Sequence, residues 1–161
     1  MPAKLRRSPI QHEMLLRVYN SDQDIYPAGL PFHRLKNWVT ACPQLAVCLE
    51  HCNGNDEAEY VPVGVIIALP ILSSYWNDLV CGKLREIDID ADPMIAKDYG
   101  EVGIHIFHIE KFEAFTHAGS KRRFTDMALE SIQEVLENES WSILGYSGPS
   151  NPWMFVTTET G

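Results

Sequence analysis

The stretch Glu101-Val-Gly-Ile-His-Ile-Phe-His-Ile-Glu110 decides the fold that the sequence predicts. Its centre is apolar, which is typical of a buried strand, and it is followed by a loop at residues 117–123 and a helical pattern over residues 124–137. A strand that leads through a loop into a helix N-terminus can hold a phosphate, because free backbone N–H groups face the ligand there. The other predicted elements are placed relative to this strand, loop and helix.

The totals favour a single soluble domain over residues 1–161, with residues 1–13 expected to be flexible. Hydrophobic residues make up 45% of the chain and charged residues 22%, and no apolar run approaches the roughly 18 residues that mark a membrane helix. The net charge of −9 would repel phosphates and anionic headgroups. We therefore expect neither a nucleic-acid partner nor a membrane partner.

Cysteine usage predicts a reducing compartment. The N-terminus lacks the apolar run of a secretory signal, so we expect the four cysteines to be reduced thiols in the cytoplasm or the nucleus. Cys48 and Cys52, with His51 between them, lack the paired short spacings of a zinc site. No metal site is predicted.

The order of the predicted elements is that of an α/β fold with a mixed, mostly antiparallel central sheet flanked by helices. The ranges are a strand at 14–19, a loop at 20–24, a helix between Pro31 and Pro43, a hairpin of strands 45–52 and 61–69 with a turn at 53–56, a helical stretch within 70–99, and strands 102–109 and 142–146 on either side of helix 124–137. Strand 61–69 is continuously apolar, so we expect it at the centre of the sheet. The acidic run 86–92 lacks the glycine that a calcium loop needs, so we expect a solvated loop.

This order, with the residues of the opening strand, resembles the acyl-CoA N-acyltransferase (GCN5-related N-acetyltransferase) superfamily. The resemblance implies that strands 102–109 and 142–146 splay apart, and that the pantetheine arm of acetyl-CoA lies in the gap. It implies backbone pairing of that arm with Phe107, His108 and Ile109. The residues implied for the pyrophosphate loop are Gly119, Ser120, Lys121, Arg122, Arg123 and Phe124.

The C-terminal segment carries a second part of the resemblance. Asn151, followed by residues 153–161, is similar to the superfamily's cofactor-binding asparagine, short helix and closing glycine. The chain then stops where the last two strands of the fold would begin. We therefore expect a truncated chain, or a sheet completed by another chain or by a second copy in a homodimer.

The implied function is N-acetyltransferase activity, with acetyl-CoA as co-substrate and a small-molecule or peptide amine as the acceptor that attacks directly. The candidate bases are His105, His108 and Glu110, with Glu101 at the start of the strand. Alternation along a regular strand places His105 and His108 on opposite faces, so only one of them is expected to face the cleft.

Two departures from the superfamily pattern favour an alternative function. The phosphate loop offers only Gly119 where the superfamily has several small residues, although Lys121, Arg122 and Arg123 can contact phosphate by charge. The tyrosine that often acts as the general acid is replaced by Thr157 or Thr158. The alternative is a catalytically inactive acetyltransferase-like protein that serves as a binding or interaction module.

Overall fold

The computed structural model describes residues 5–25, 29–52, 59–113 and 123–148. The strands are β1 (Leu5–Pro9), β2 (Ala46–Cys52), β3 (Tyr60–Leu72), β4 (Tyr99–Lys111) and β5 (Ser140–Ser147). The helices are α1 (His12–Ile25), α2 (Phe32–Ala41), α3 (Ser73–Val80), α4 (Ala91–Met94) and α5 (Phe124–Leu136), with short 3₁₀ turns at Pro43–Leu45 and Glu86–Asp88.

The strands form one five-stranded sheet in the order β1-β2-β3-β4-β5. The first three neighbouring pairs are antiparallel, whereas β4 and β5 are parallel. A parallel pair needs a crossover connection, and α5 lies in the segment between these two strands. The predicted α/β fold with a mixed, mostly antiparallel sheet and helices is confirmed.

The beginning of the chain differs from the prediction. Residues 14–19 were predicted as a strand and residues 20–24 as a loop, but both lie in α1, so these two predictions were wrong. Leu15 and Val18 are both buried, and their spacing is that of a helix face. Residues 5–9, expected to be flexible, form β1 and pair with β2 at the edge of the sheet.

The predicted helix after Pro31 is confirmed as α2. Pro31 adopts an extended conformation at the N-cap, with φ −68° and ψ 142°, and the helix ends before Pro43 because proline cannot continue it. The predicted hairpin is confirmed as the antiparallel pair of β2 and β3. Its turn at 53–56 lies outside the described residues.

The segment between β3 and β4 is more structured than predicted. The acidic run 86–92 was expected to be a solvated loop, but it contains the 3₁₀ turn Glu86–Asp88 and part of α4. Ile89 is fully buried, and its carbonyl oxygen accepts hydrogen bonds of 2.8 Å from both Arg34 and Trp38 of α2. These bonds fasten the segment to α2, so it packs on the sheet.

Helices cover both faces of the sheet. Phe124 of α5 packs directly over Gly64 of β3, where any side chain would collide with its ring. Trp76 of α3 packs in the same way over Gly103 of β4, which pairs with Ile71. Gly64 and Ile71 are seven residues apart on one strand and therefore face opposite sides, so α5 and α3 cover different faces. None of the helices in the described ranges has the length and apolar character needed to span a membrane.

Candidate functional site

The parallel pairing of β4 with β5 ends part-way along β4. It runs from Tyr99–Ser140 to His105–Ser147, whereas β4 itself continues to Lys111. On its other edge β4 stays paired with β3 as far as Gly64–Lys111. Within the described ranges, residues 106–111 therefore have no partner on the β5 side, and their outward backbone N–H and C=O groups can pair with an extended ligand.

A β-bulge at Phe107 changes which side chains share a face. In β3, Leu69 pairs with His105 and Ile67 pairs with His108, so β4 has one extra residue between these pairs. Leu69 and Ile67 are two residues apart and lie on one face, and the two histidines therefore lie on that face as well. The expectation that His105 and His108 face opposite sides was wrong, because it assumed a regular strand.

His105 is the centre of a chain of four hydrogen-bonded side chains. Its ring is 2% exposed, with Nε2 lying 2.6 Å from Oε2 of Glu86 and Nδ1 lying 2.9 Å from Oγ of Ser147. Ser147 is fully buried, and its Oγ also accepts a 3.0 Å hydrogen bond from Nε1–H of Trp76. The four side chains come from α3, from the 3₁₀ turn Glu86–Asp88, from β4 and from β5. Their hydrogen bonds therefore connect these elements at the last pair of the β4–β5 ladder.

The residues at the two ends of this hydrogen-bond chain determine which atoms donate and which accept. Trp76 can only donate, and the ionised Glu86 carboxylate can only accept. The arrangement that satisfies both ends has Nε2–H of His105 donating to Glu86 and Nδ1 accepting the hydroxyl proton of Ser147. Each proton in the chain points toward Glu86, whose side chain is 24% exposed.

A second histidine–carboxylate pair lies farther along β4. Nε2 of His108 is 3.2 Å from Oε2 of Glu110, and the two side chains are 10% and 23% exposed. Glu110 also lines a pocket of about 600 Å³, together with residues of α1 and the ends of β3 and β4. In that pocket the Arg17 guanidinium lies 4.1 Å above the Phe112 ring.

No protein-family model matches the chain, and no curated protein is significantly similar to it. The function is therefore inferred from the side chains and free backbone at the end of the β4–β5 pairing.

The remaining predicted site residues have varied environments. Phe107 is buried against Trp38, with ring centroids 5.2 Å apart, and Ile109 pairs with Ile66 on the opposite face from the histidines. Arg123 occupies the N-cap position of α5, and the Phe124 side chain is buried in the core. The predicted residues that lie outside the described ranges are Gly119, Ser120, Lys121, Arg122 and Asn151.

Two polar residues of the site were not predicted from the sequence. Glu86 lay within the run expected to be a solvated loop, and Ser147 lay just beyond the predicted strand 142–146. The only signal for Glu86 was the apolar Ile87 and Ile89 beside it, since alternating apolar residues indicate that a segment packs on the core. Nothing in the sequence near Ser147 distinguishes it from other serines.

An ion pair lies beside the site. Arg85, the cation next to Glu86 in sequence, is bonded instead to Asp88, with Nε 2.6 Å from Oδ2. This contact lowers the pKa of the Asp88 carboxyl. Burial raises the pKa of Tyr146, which precedes Ser147 on β5, so its phenol stays protonated at neutral pH. Across the described ranges, no group of three or more His, Cys, Asp or Glu side chains is arranged to hold a metal ion.

Proposed function

We propose that the protein is an acyl-CoA-dependent N-acyltransferase that transfers an acetyl group from acetyl-CoA to an amine. The observation that carries the proposal is the end of the β4–β5 pairing at His105–Ser147, after which residues 106–111 have no partner on the β5 side within the described part of the chain. The pantetheine arm is an extended chain with two amide groups. It would add to β4 as a short strand does, through hydrogen bonds to the backbone of Phe107, His108 and Ile109.

The position of the loop after β4 sets the direction of the bound cofactor. Residues 114–122 connect the C-terminal end of β4 to the N-terminus of α5. Backbone N–H groups at a helix N-terminus, together with Lys121, Arg122 and Arg123, would bind the pyrophosphate there. The pantetheine arm would then run back along β4, so the thioester would lie near His105 and Ser147.

The reaction needs no covalent protein intermediate. The amine nitrogen attacks the thioester carbonyl carbon, a C–N bond forms, and the C–S bond breaks with its electron pair on sulfur. The protein would orient the two reactants, supply a backbone N–H to the carbonyl oxygen, and provide a base for the ammonium proton. Two histidine–carboxylate pairs, His105–Glu86 and His108–Glu110, lie on the same face of β4 as candidate bases.

Calorimetric titration of the full chain with acetyl-CoA and with CoA tests the proposal. Both ligands are expected to bind with one site per chain, because both carry the pantetheine arm and the pyrophosphate. Adenosine 3′,5′-bisphosphate, which lacks the arm, is expected to bind more weakly. A folded protein that binds neither acetyl-CoA nor CoA would exclude the acyltransferase function.

A second candidate function is an acetyltransferase-like binding module without catalysis. The observation that favours it is the complete burial of Ser147 and the 2% exposure of His105, whose ring nitrogens are both occupied. Such a module would bind its partner while His105→Ala, His108→Ala and Glu110→Ala variants that stay folded keep their cellular function. Loss of cellular function in these folded variants would count against the module.

We also propose that the sheet associates through β5. Among the described residues β5 pairs only with β4, and an unpaired strand edge favours pairing with another chain. A homodimer is the simplest such assembly. Sedimentation equilibrium of the full chain is expected to give twice the monomer mass, and a monomer at high concentration would contradict this.

A further inference from the structure

We propose that Glu86 is the catalytic base of the proposed acyl transfer, and that Trp76, Ser147 and His105 are positioning residues that hold its carboxylate in place. The inference rests on the proposed function and deepens it, since it names the residue that takes the substrate proton. It also defines the acceptor as a cationic primary amine.

His105 itself is poorly placed to be the base. Its Nε2 carries the proton donated to Glu86, and its Nδ1 is occupied by the hydroxyl of the fully buried Ser147. A base needs a lone pair within hydrogen-bond reach of the proton that it removes. The 2% exposure of His105 leaves no such approach to either ring nitrogen.

Glu86 has the accessible lone pair that a base needs and that His105 lacks. Its side chain is 24% exposed, and among the described residues only its Oε2 is hydrogen-bonded, through the 2.6 Å contact with His105. Within the described part of the chain, the carboxylate has no Lys or Arg partner, because Arg85 is bonded to Asp88 and Arg34 to the Ile89 carbonyl. Among the described residues, its negative charge is therefore met only by the ring N–H of His105. It can accept an ammonium ion at Oε1 and then its proton.

Position along β4 separates Glu86 from the other carboxylate candidate. The β3 partners of His105 and Glu110 are four residues apart. A strand rises about 3.3 Å per residue, so Glu110 lies roughly 13 Å along β4 from His105. Glu86 lies in direct contact with His105, at the point where the proposed thioester would be. A thioester at this point is within reach of Glu86 and out of reach of Glu110.

The proton balance of the step is simple. The ammonium ion gives one proton to Glu86 and becomes a neutral amine, whose lone pair attacks the thioester carbon. When the C–S bond breaks, the nitrogen of the intermediate loses a second proton, which passes to the thiolate sulfur. Glu86 then releases its proton to solvent, so each turnover yields an amide, CoA thiol and one free proton.

The kinetic test measures CoA release from acetyl-CoA with n-butylamine, 1,4-diaminobutane and lysine amide as probe acceptors. A general base works only when it is unprotonated, so kcat/KM of the wild type is expected to fall toward low pH. Glu86→Gln is expected to lower kcat by about 100-fold or more, as loss of a general base does, and to abolish that fall. Its affinity for acetyl-CoA is expected to stay within about twofold, since the carboxylate does not touch the cofactor. Glu137→Gln, the same substitution at an exposed position at the end of α5, is the matched control and is expected to keep both the rate and the pH profile.

The positioning residues have a different signature. Trp76→Phe and Ser147→Ala are expected to lower kcat by roughly tenfold with KM unchanged, while the fall in kcat/KM toward low pH remains, because Glu86 is still present. Ser142→Ala, at an exposed position on the same strand, is the control.

Nitrogen-15 NMR of the wild-type His105 ring tests the hydrogen-bond chain without any variant. The expected result is the Nε2–H tautomer, with an unprotonated Nδ1. The opposite tautomer would overturn the positioning role, whether or not the variants fold.

The outcomes separate the two proposals. Failure to bind acetyl-CoA overturns both the acyltransferase function and the role of Glu86. Binding together with full activity or an unchanged pH profile in Glu86→Gln overturns only the role of Glu86. Binding without CoA release above the uncatalysed rate for any probe amine also overturns the role of Glu86, and supports the binding module.

Discussion

His105 and Ser147 form the last pair between β4 and β5, and their side chains contact each other, with Nδ1 2.9 Å from Oγ. The place where the two strands stop pairing is therefore also the place where a buried polar chain begins. A buried imidazole and hydroxyl cost free energy unless their polar atoms are satisfied. Trp76 donates to the Ser147 hydroxyl, and Glu86 bonds to the His105 ring, so both groups are satisfied. The contact with His105 also places the Glu86 carboxylate at the end of the β4–β5 pairing.

Gly103→Ala is expected to destabilise the protein by about 1–3 kcal/mol, because a methyl group there would collide with the Trp76 ring and force the indole out of its packing. The indole would also lose its hydrogen bond to Ser147. Urea denaturation followed by circular dichroism measures the change as a lower midpoint. Gly29→Ala is the matched control, since nothing lies within 4 Å of a side chain at Gly29. Equal midpoints for the two variants would show that α3 does not pack on β4 in this way.

Glu110→Gln is expected to keep more than about a third of the wild-type kcat and the wild-type affinity for acetyl-CoA. The reason is distance, since Glu110 lies roughly 13 Å along β4 from the end of the β4–β5 pairing. Steady-state kinetics with the probe amines gives kcat, and calorimetry gives the affinity. A 100-fold loss of kcat in Glu110→Gln would place the thioester near His108 instead of near His105.

The sequence predicted the central elements well because each is a long pattern with a single interpretation. β3 is apolar throughout, and α5 carries its buried residues at helical spacing over three turns. The segment that forms α1 does not carry such a long, unambiguous pattern. Met14 to Tyr19 is a six-residue stretch that is apolar except for Arg17, and it suits a strand as well as a helix.

The candidate site was less predictable, because its contacts depend on tertiary structure. The bulge at Phe107 leaves no mark in the sequence of β4, yet it brings His105 and His108 onto one face. Glu86 reaches His105 only because the Ile89 carbonyl is bonded to α2, which draws the acidic segment onto the sheet. Residue types identified the histidines as candidates, but side-chain direction and long-range packing decide what each can do.

The free energy of unfolding is expected to decrease at alkaline pH, and ionisation of the Cys42 thiol in the unfolded chain accounts for part of that decrease. Burial raises the pKa of its thiol from 9.0 to about 12, so the folded state keeps the proton over a range in which the unfolded chain releases it. The unfolding free energy therefore decreases as the pH rises above about 9, by roughly 1.4 kcal/mol for each further pH unit up to about 12.

Urea denaturation at pH 8 and pH 10 measures this contribution, with Cys42→Ala as the variant that lacks it. The wild type is expected to lose about 1.4 kcal/mol more than Cys42→Ala between these two values of pH. Cys81→Ala is the control, since Cys81 is exposed. The same loss in the wild type and in Cys42→Ala would show that the thiol ionises in the folded protein.

Replacing Lys121, Arg122 and Arg123 together with alanine is expected to weaken acetyl-CoA binding by tenfold or more at low salt. In the proposed complex these side chains meet the pyrophosphate, and a charge-assisted hydrogen bond contributes about 1.5–3 kcal/mol. The loss is expected to shrink as salt rises, because ions screen exposed charges. A triple alanine variant of Lys36, Lys83 and Lys97 is the matched control, since it removes the same charge from exposed positions elsewhere. Equal weakening in both variants would show that only the net charge of −9 matters, and would remove the loop after β4 from the proposed cofactor site.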